Sequence, residues 1–152
     1  MSTATLSLER TFDARREAVF AAWTEPEVLR RWWMARPDEQ DTPEAEVDLR
    51  VGGRYRMVIR ERDSGVAHEV FGEYREVVPP ERLVYTWTWK DAEPGTAGSV
   101  VTVVFRDDGG ERTTVLLTHT GFTDPAEVPK HEHGWNAVMD TLESKVFRTA
   151  LT

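Results

Sequence analysis

Cysteine is absent from all 152 residues. That removes disulfides, thiolate chemistry and cysteine-based zinc sites. Long apolar runs are missing as well, and none approaches the ~20 residues that a membrane-spanning helix needs. The opening MSTATLSLERTF has neither a basic leader nor an apolar stretch and already alternates like a strand, so no export signal is expected and the cytoplasm is the default location. Basic character is also scarce. Nineteen Lys and Arg face twenty-seven Asp and Glu, a net charge of −8, and residues 1–76 and 77–152 each carry −4. No basic domain hides in the average, which argues against nucleic-acid binding, because phosphate neutralisation supplies most of that affinity.

Catalytic signatures are lacking too. There is no nucleophile elbow, no HExxH and no phosphate-cradling glycine loop; Gly52-Gly53 alone reads as a turn. His131 and His133 are two apart, so on a helix they diverge by about 200° and cannot chelate one ion. No third ligand accompanies them. Neither a metal nor a cofactor is expected.

What is present is alternation. With 39% hydrophobic and 30% charged residues, the chain has the composition of one folded domain spanning 1–152. Leu6, Leu8, Arg10 and Phe12 share a parity and predict a first strand. Asp13 is placed to cap a short helix through Val19, Phe20 and Trp23. Thr24-Glu25-Pro26-Glu27 reads as a capping box with proline in the first turn of a second helix, which carries Val28, Leu29, Trp32 and Trp33. Residues 35–44, with Pro37 and Pro43, read as loop. Strands follow: Ala45 to Leu49, Arg54 to Arg60, His68 to Tyr74 and Leu83 to Trp89, the third ended by Pro79-Pro80. A loop from Lys90 to Gly98 holds Pro94 and Gly95. Val100 to Arg106 and Thr113 to Thr120 are joined by Asp107-Asp108-Gly109-Gly110, a hairpin signal. Asp124-Pro125 opens a long amphipathic helix, roughly Pro129 to Leu151, with Trp135, Val138, Met139, Leu142 and Val146 on one stripe. Strand, two short helices, about six antiparallel strands and a long helix make an α+β layout.

Four stretches in this order carry a family resemblance: RTFDARREAVFAAWTEPEVLRRWW, DLRVGGRYR, EVVPPERLVYTWTW, and LTHTGF followed by GWNAVMDTLE. The chain resembles the START-like, birch-pollen-allergen-like superfamily, also called the helix-grip fold. It is most similar to the bacterial branch that resembles the C-terminal domain of the heat-shock-chaperone ATPase activator. Arg15 after Ala14 and Met34 after Trp33 depart from the family pattern. The resemblance implies six to seven curved strands wrapped on the last helix, with a ligand cavity between them. Members of the superfamily include lipid carriers, cyclases and proteins acting on chaperones, so fold does not dictate function.

By parity, Tyr55, Met57, Ile59, Val70, Tyr74, Tyr85 and Trp87 face the helix. Val103, Phe105, Val115 and Leu117 continue that concave face, and Trp135, Met139 and Leu142 meet it from the helix. Each large apolar side chain gains ~1.5–3 kcal/mol on burial, so these residues serve a filled core or a ligand cavity equally well. His119 shares the parity of Leu117 and is placed either to bond a backbone group or to act on a ligand. Arg10 points inward by parity and requires a partner, either a carboxylate such as Asp48 or an acidic ligand head. Trp32 and Trp33 stand about 100° apart on a helix, which predicts one of them, Trp32, at the cavity mouth or an interface. Arg54, Arg56 and Arg60 form an outer stripe, suited to cross-strand pairing with Glu69 or Glu73 or to partner docking. Three functions are compatible with this reading. The leading one is binding of a small hydrophobic or amphipathic molecule. The others are a chaperone-associated interaction module, and a cyclase, dehydratase or hydrolase using His119. Either a monomer or a homodimer is expected, with Trp32 or Phe71 available for pairing.

Overall fold

Period-2 alternation becomes seven strands in the computed structural model, which describes residues 4–90 and 98–147. The elements are β1 (Ala4–Phe12), α1 (Arg16–Thr24), α2 (Pro26–Trp32), β2 (Gln40–Val47), β3 (Arg54–Glu61), β4 (Ala67–Val78), β5 (Arg82–Trp89), β6 (Ser99–Gly109), β7 (Arg112–Phe122) and α3 (Glu127–Leu142), followed by a π-helical turn over Glu143–Phe147. All strands are antiparallel in one curved sheet ordered β1-β7-β6-β5-β4-β3-β2. This is the α+β helix-grip architecture expected from the sequence. Strands β2 to β7 form a meander, and β1 closes against β7 from the far end of the chain, so β1 and β2 are the two edges.

Bulges help bend the sheet. The register shifts between Asp41 and Glu44, between Tyr74 and Glu76, and between Asp107 and Gly109. The first explains a correction. Residues 40–44, expected as loop, are the start of β2. Pro43 is tolerated there because it sits on an edge strand and within the bulge, where no ladder N–H is required of it. The β6–β7 turn also falls later than expected, at Gly110-Glu111, flanked by the Gly109 and Arg112 pair; both turn residues have positive φ, as a two-residue hairpin turn needs.

Neither predicted cap forms. Arg15 precedes α1 with no side-chain cap, and Asp13 instead pairs with Arg112 at 3.2 Å. Glu25 precedes α2, while the Thr24 hydroxyl donates back to Phe20 O at 3.0 Å. Pro26 does occupy the first turn, so the helix starts where expected for one of the two expected reasons. Helix α3 begins two residues before Pro129. The predicted loop at 91–97 and helix end at 148–151 lie outside the described residues.

Candidate functional site

Strand parity aims one face of the sheet at α3, and the resulting interior has two unlike ends. At one end Tyr55, Met57, Tyr74 and Tyr85 meet Trp23, Leu29 and Leu83 and leave about 10 Å³, roughly one water. The three tyrosine rings lie 5.1–5.8 Å apart between centroids. Tyr55 Oη donates to Thr86 O at 2.6 Å, and Tyr85 Oη accepts from Trp23 Nε1 at 3.3 Å. Burial holds all three phenols above their ordinary range. Gly72 makes this packing possible: a Cβ there would stand 1.9 Å from Thr86 O and 2.8 Å from the Tyr55 ring.

The other end is open. Beneath the first half of α3 lies a cleft of about 480 Å³, within the range of small-molecule sites. Four of the six tryptophans line it: Trp33 from the end of α2, Trp87 and Trp89 from β5, and Trp135 from α3. Their rings form one connected wall, with Trp87 5.7 Å from Trp33, 5.6 Å from Trp89 and 5.0 Å from Trp135. Ile59 and Val138 add apolar surface. Gly134 of α3 also faces the cleft, and a Cβ built on it meets nothing within 4 Å.

The cleft's rim is polar and internally paired. Arg36 Nη2 lies 2.9 Å from Glu61 Oε2, and the Gln40 amide donates to the same oxygen at 2.6 Å. Lys130 Nζ lies 3.6 Å from Glu127 Oε2. His131 Nε2 accepts from Trp89 Nε1 at 3.0 Å, leaving Nδ1 to donate to Glu127 O at 2.9 Å. Burial pushes the His131 pKa down, partly opposed by that backbone carbonyl.

Behind the wall runs a second chain of hydrogen bonds. Trp135 Nε1 donates to His119 Nδ1 at 3.2 Å. His119 must then carry its proton on Nε2, which meets Ser99 Oγ at 2.9 Å, and Ser99 donates onward to Trp87 O at 2.9 Å. His119 has no exposed surface and does not line the cleft. Burial lowers its pKa to about 2. Acting on a ligand as acid or base, one of the two roles expected for this imidazole, would need a ring nitrogen free at the cleft. Instead both its nitrogens are committed and it braces two tryptophans.

The expected ligand set therefore divides. Ile59, Trp87 and Trp135 line the cleft. Val70, Val103, Phe105, Leu117, Met139 and Leu142 are core residues with at most 1% exposure, and Tyr55, Met57, Tyr74 and Tyr85 pack the closed end. Arg10 does turn toward α3, but its partner is Asp140 at 2.8 Å, not Asp48, which pairs with Arg50, and not a ligand head. Trp32 is wholly buried, with Nε1 donating to Ala22 O at 2.9 Å, so it lies at neither a mouth nor an exposed interface. Angular separation did not expose either ring because α2 is covered on both sides: Trp32 packs against Trp23, and Trp33 against Trp87 and Trp135. Phe71 does stay partly exposed, at 37%. In the outer arginine stripe, Arg56 is held by Glu44, Glu46 and Glu69 at 2.7–3.2 Å and Arg60 by Asp41 at 2.8 Å. Cross-strand pairing thus accounts for both.

Trp33, Trp89, His131 and Gly134 were missed as cleft residues. Trp89 shared the parity of Trp87 and was recoverable; Gly134 carried only the weak signal of a glycine inside a helical pattern. Among the described residues no group of three or more His, Asp or Glu is arranged to hold a metal ion. No helix among them is long and apolar enough to cross a membrane.

A seven-stranded antiparallel sheet gripping a long helix, with one end of the interior packed and the other open, defines a helix-grip protein of the START-like superfamily. More narrowly, the chain belongs to the family described as activator of Hsp90 ATPase homolog 1-like protein, whose profile matches residues 13–146. Among solved structures it is similar to protein CV1439 of Chromobacterium violaceum, with 26% identity, TM-score 0.80 and coverage of 96% of this chain and 99% of that one. It is similar also to the AHSA1 protein of Silicibacter pomeroyi, at 27% identity and TM-score 0.78, covering 94% of this chain and 97% of the other. PFC0360w of Plasmodium falciparum, described as an HSP90 activator, shares the fold at 24% identity and TM-score 0.72, with 92% and 94% covered. No curated protein matches the chain in sequence.

Proposed function

We propose that this chain is a single-domain cytoplasmic binder of a small amphipathic molecule, held between the sheet and α3. One observation carries the reading. The concave face that α1 and α2 close to about 10 Å³ at the tyrosine end is left open to about 480 Å³ where α3 covers the tryptophan end. The wall there is aromatic and the rim charged, so an apolar body would be buried while a polar edge meets the rim. Because four of six tryptophans line the cleft, intrinsic fluorescence reports occupancy. Titration with 2-ethylnaphthalene is expected to quench that emission saturably, and native mass spectrometry is expected to show one molecule bound. A linear, non-saturating response with no bound mass would remove the reading.

A second reading, docking to a heat-shock chaperone, is favoured by the family's description. The outer arginine stripe is its nearest candidate surface, although the carboxylates around Arg56 already neutralise part of it. A pull-down with a bacterial chaperone homologue, with and without R54E and R56E, tests it. No complex, or one indifferent to both changes, would dismiss that surface.

A further inference from the structure

Resting on the cleft as a binding site, we propose that Trp33 sets how deep a ligand reaches. Its ring is the partition that confines a bound apolar body to the tryptophan end, so the cleft takes a compact amphipathic molecule and rejects a long acyl chain. Among the described residues, Trp33 alone lines both the cleft of about 480 Å³ and the void of about 10 Å³ at the tyrosine end. The strands pass unbroken from one space to the other. On β3, Met57 lines the void and Ile59 the cleft; on β5, Tyr85 lines the void and Trp87 the cleft. Residues two apart on one strand face stand only about 6.4–6.8 Å from each other. About one side chain therefore divides the two spaces, and from the helical side that side chain is Trp33.

The way Trp33 is held fits that role. Its ring centroid lies 5.7 Å from Trp87, 5.3 Å from Trp135 and 5.3 Å from Trp32. Packing alone fixes it, because its Nε1 is buried with no acceptor among the described residues. Trp23, Trp32, Trp89 and Trp135 are each pinned by an indole hydrogen bond instead. Taking the Trp33 ring away thus breaks no hydrogen bond of its own side chain. It joins the volume of one indole to the void beyond and extends the cleft along an apolar path lined by Leu29, Met57 and Leu83. Neither Trp87 nor Trp135 replaces it, since both line the cleft and not the void.

The test titrates the intact chain and W33A with lysophosphatidylcholines whose tails carry 6, 10 and 14 carbons, each below its micellar concentration, and with 2-ethylnaphthalene as the compact reference. Each buried methylene contributes about fourfold in affinity. In wild type that gain should end where the tail meets Trp33, so that lengthening from 10 to 14 carbons adds less than about threefold, whereas in W33A it should add about tenfold or more. Damage to the wall alone would weaken every probe without changing that ratio. The position of the tail is read separately, because all three tyrosines of the chain lie at the closed end. Nuclear Overhauser contacts from the tail should reach Trp135 and Val138 in both proteins and the tyrosine rings only in W33A. Should W33A fail to fold, the wild-type contacts decide. Tail contacts with the tyrosines in wild type, the same length dependence in both proteins, or binding of 2-ethylnaphthalene with no lysolipid bound would overturn the partition and leave the cleft as a binding site. Failure of every probe, 2-ethylnaphthalene included, would overturn both.

Discussion

Gly134 offers the sharpest handle on the cleft. It lies in the middle of α3, where glycine costs ~1 kcal/mol relative to alanine. Its φ is not positive and a Cβ there meets nothing within 4 Å, so neither backbone strain nor packing requires the glycine. Gly134→Ala is therefore expected to stabilise the fold by about 0.5–1 kcal/mol. At this chain length, each kcal/mol raises Tm by roughly 2–4 °C. Gly134→Leu should keep most of that gain, because leucine is nearly as good a helix former. It would also push an isobutyl group into the space lined by Trp33, Trp87 and Trp135. A ring bound there would have to overpack, at ~1–3 kcal/mol, which is about 5- to 150-fold in affinity. Calorimetric melts of the two variants and fluorescence titration with 2-ethylnaphthalene read the two effects separately. A destabilised Gly134→Ala protein would refute the stated openness above this residue. A stable Gly134→Leu protein that binds as tightly as wild type would move the ligand site elsewhere.

Two further outcomes follow from the buried polar groups and the close-packed end. His119 protonates near 6.5 in the unfolded chain but only near 2 when folded. Between those values the unfolded state holds the extra proton, so its stabilising effect is whole above pH 6.5 and declines as pH falls, by at most ~1.4 kcal/mol per pH unit. His131, lowered by burial, contributes in the same direction. Urea midpoints measured from pH 6.5 to 5.5 should fall less steeply in His119→Gln than in wild type, and parallel slopes would contradict the burial argument. Gly72→Ala drives a methyl onto Thr86 O and the Tyr55 ring, so a loss of about 1–3 kcal/mol or more is expected by urea unfolding; a variant as stable as wild type would mean β4 and β5 are not so closely apposed.

The sheet was legible because a half-buried strand writes its two faces into alternate residues. Tyr55, Met57, Val70, Tyr74, Tyr85 and Trp87 all turned inward as parity demanded. Parity says nothing about depth, however. It could not separate Tyr85, in the packed end, from Trp87 two residues on, at the cleft. That difference depends on which helix lies over the strand, α1 and α2 at Tyr85 and α3 at Trp87, and this is decided by contacts remote in sequence, such as Trp23 with Tyr85 and Trp135 with Trp87. Helical periodicity misled at Trp32-Trp33 because it gives the direction of each side chain and not what covers it; Trp23 lies over one ring, and Trp87 and Trp135 over the other. Pro43 misled because a proline inside an edge bulge reads, in sequence alone, like a proline in a loop.

The pattern of indole partners is a stronger guide to this cleft than its volume. A void alone is ambiguous, since imperfect packing of a curved sheet on a straight helix leaves one without any use for it. Here four of the lining residues are tryptophans, each with an N–H that costs free energy when buried without an acceptor. Two of the four donors are matched to buried histidines by specific geometry, and His119 gives up any accessible chemistry to do so. Trp33 and Trp87 instead meet edge to face at 5.7 Å with both nitrogens sealed from solvent, so what the wall offers a ligand is ring surface, and burial of an apolar body is the interaction this cleft supplies.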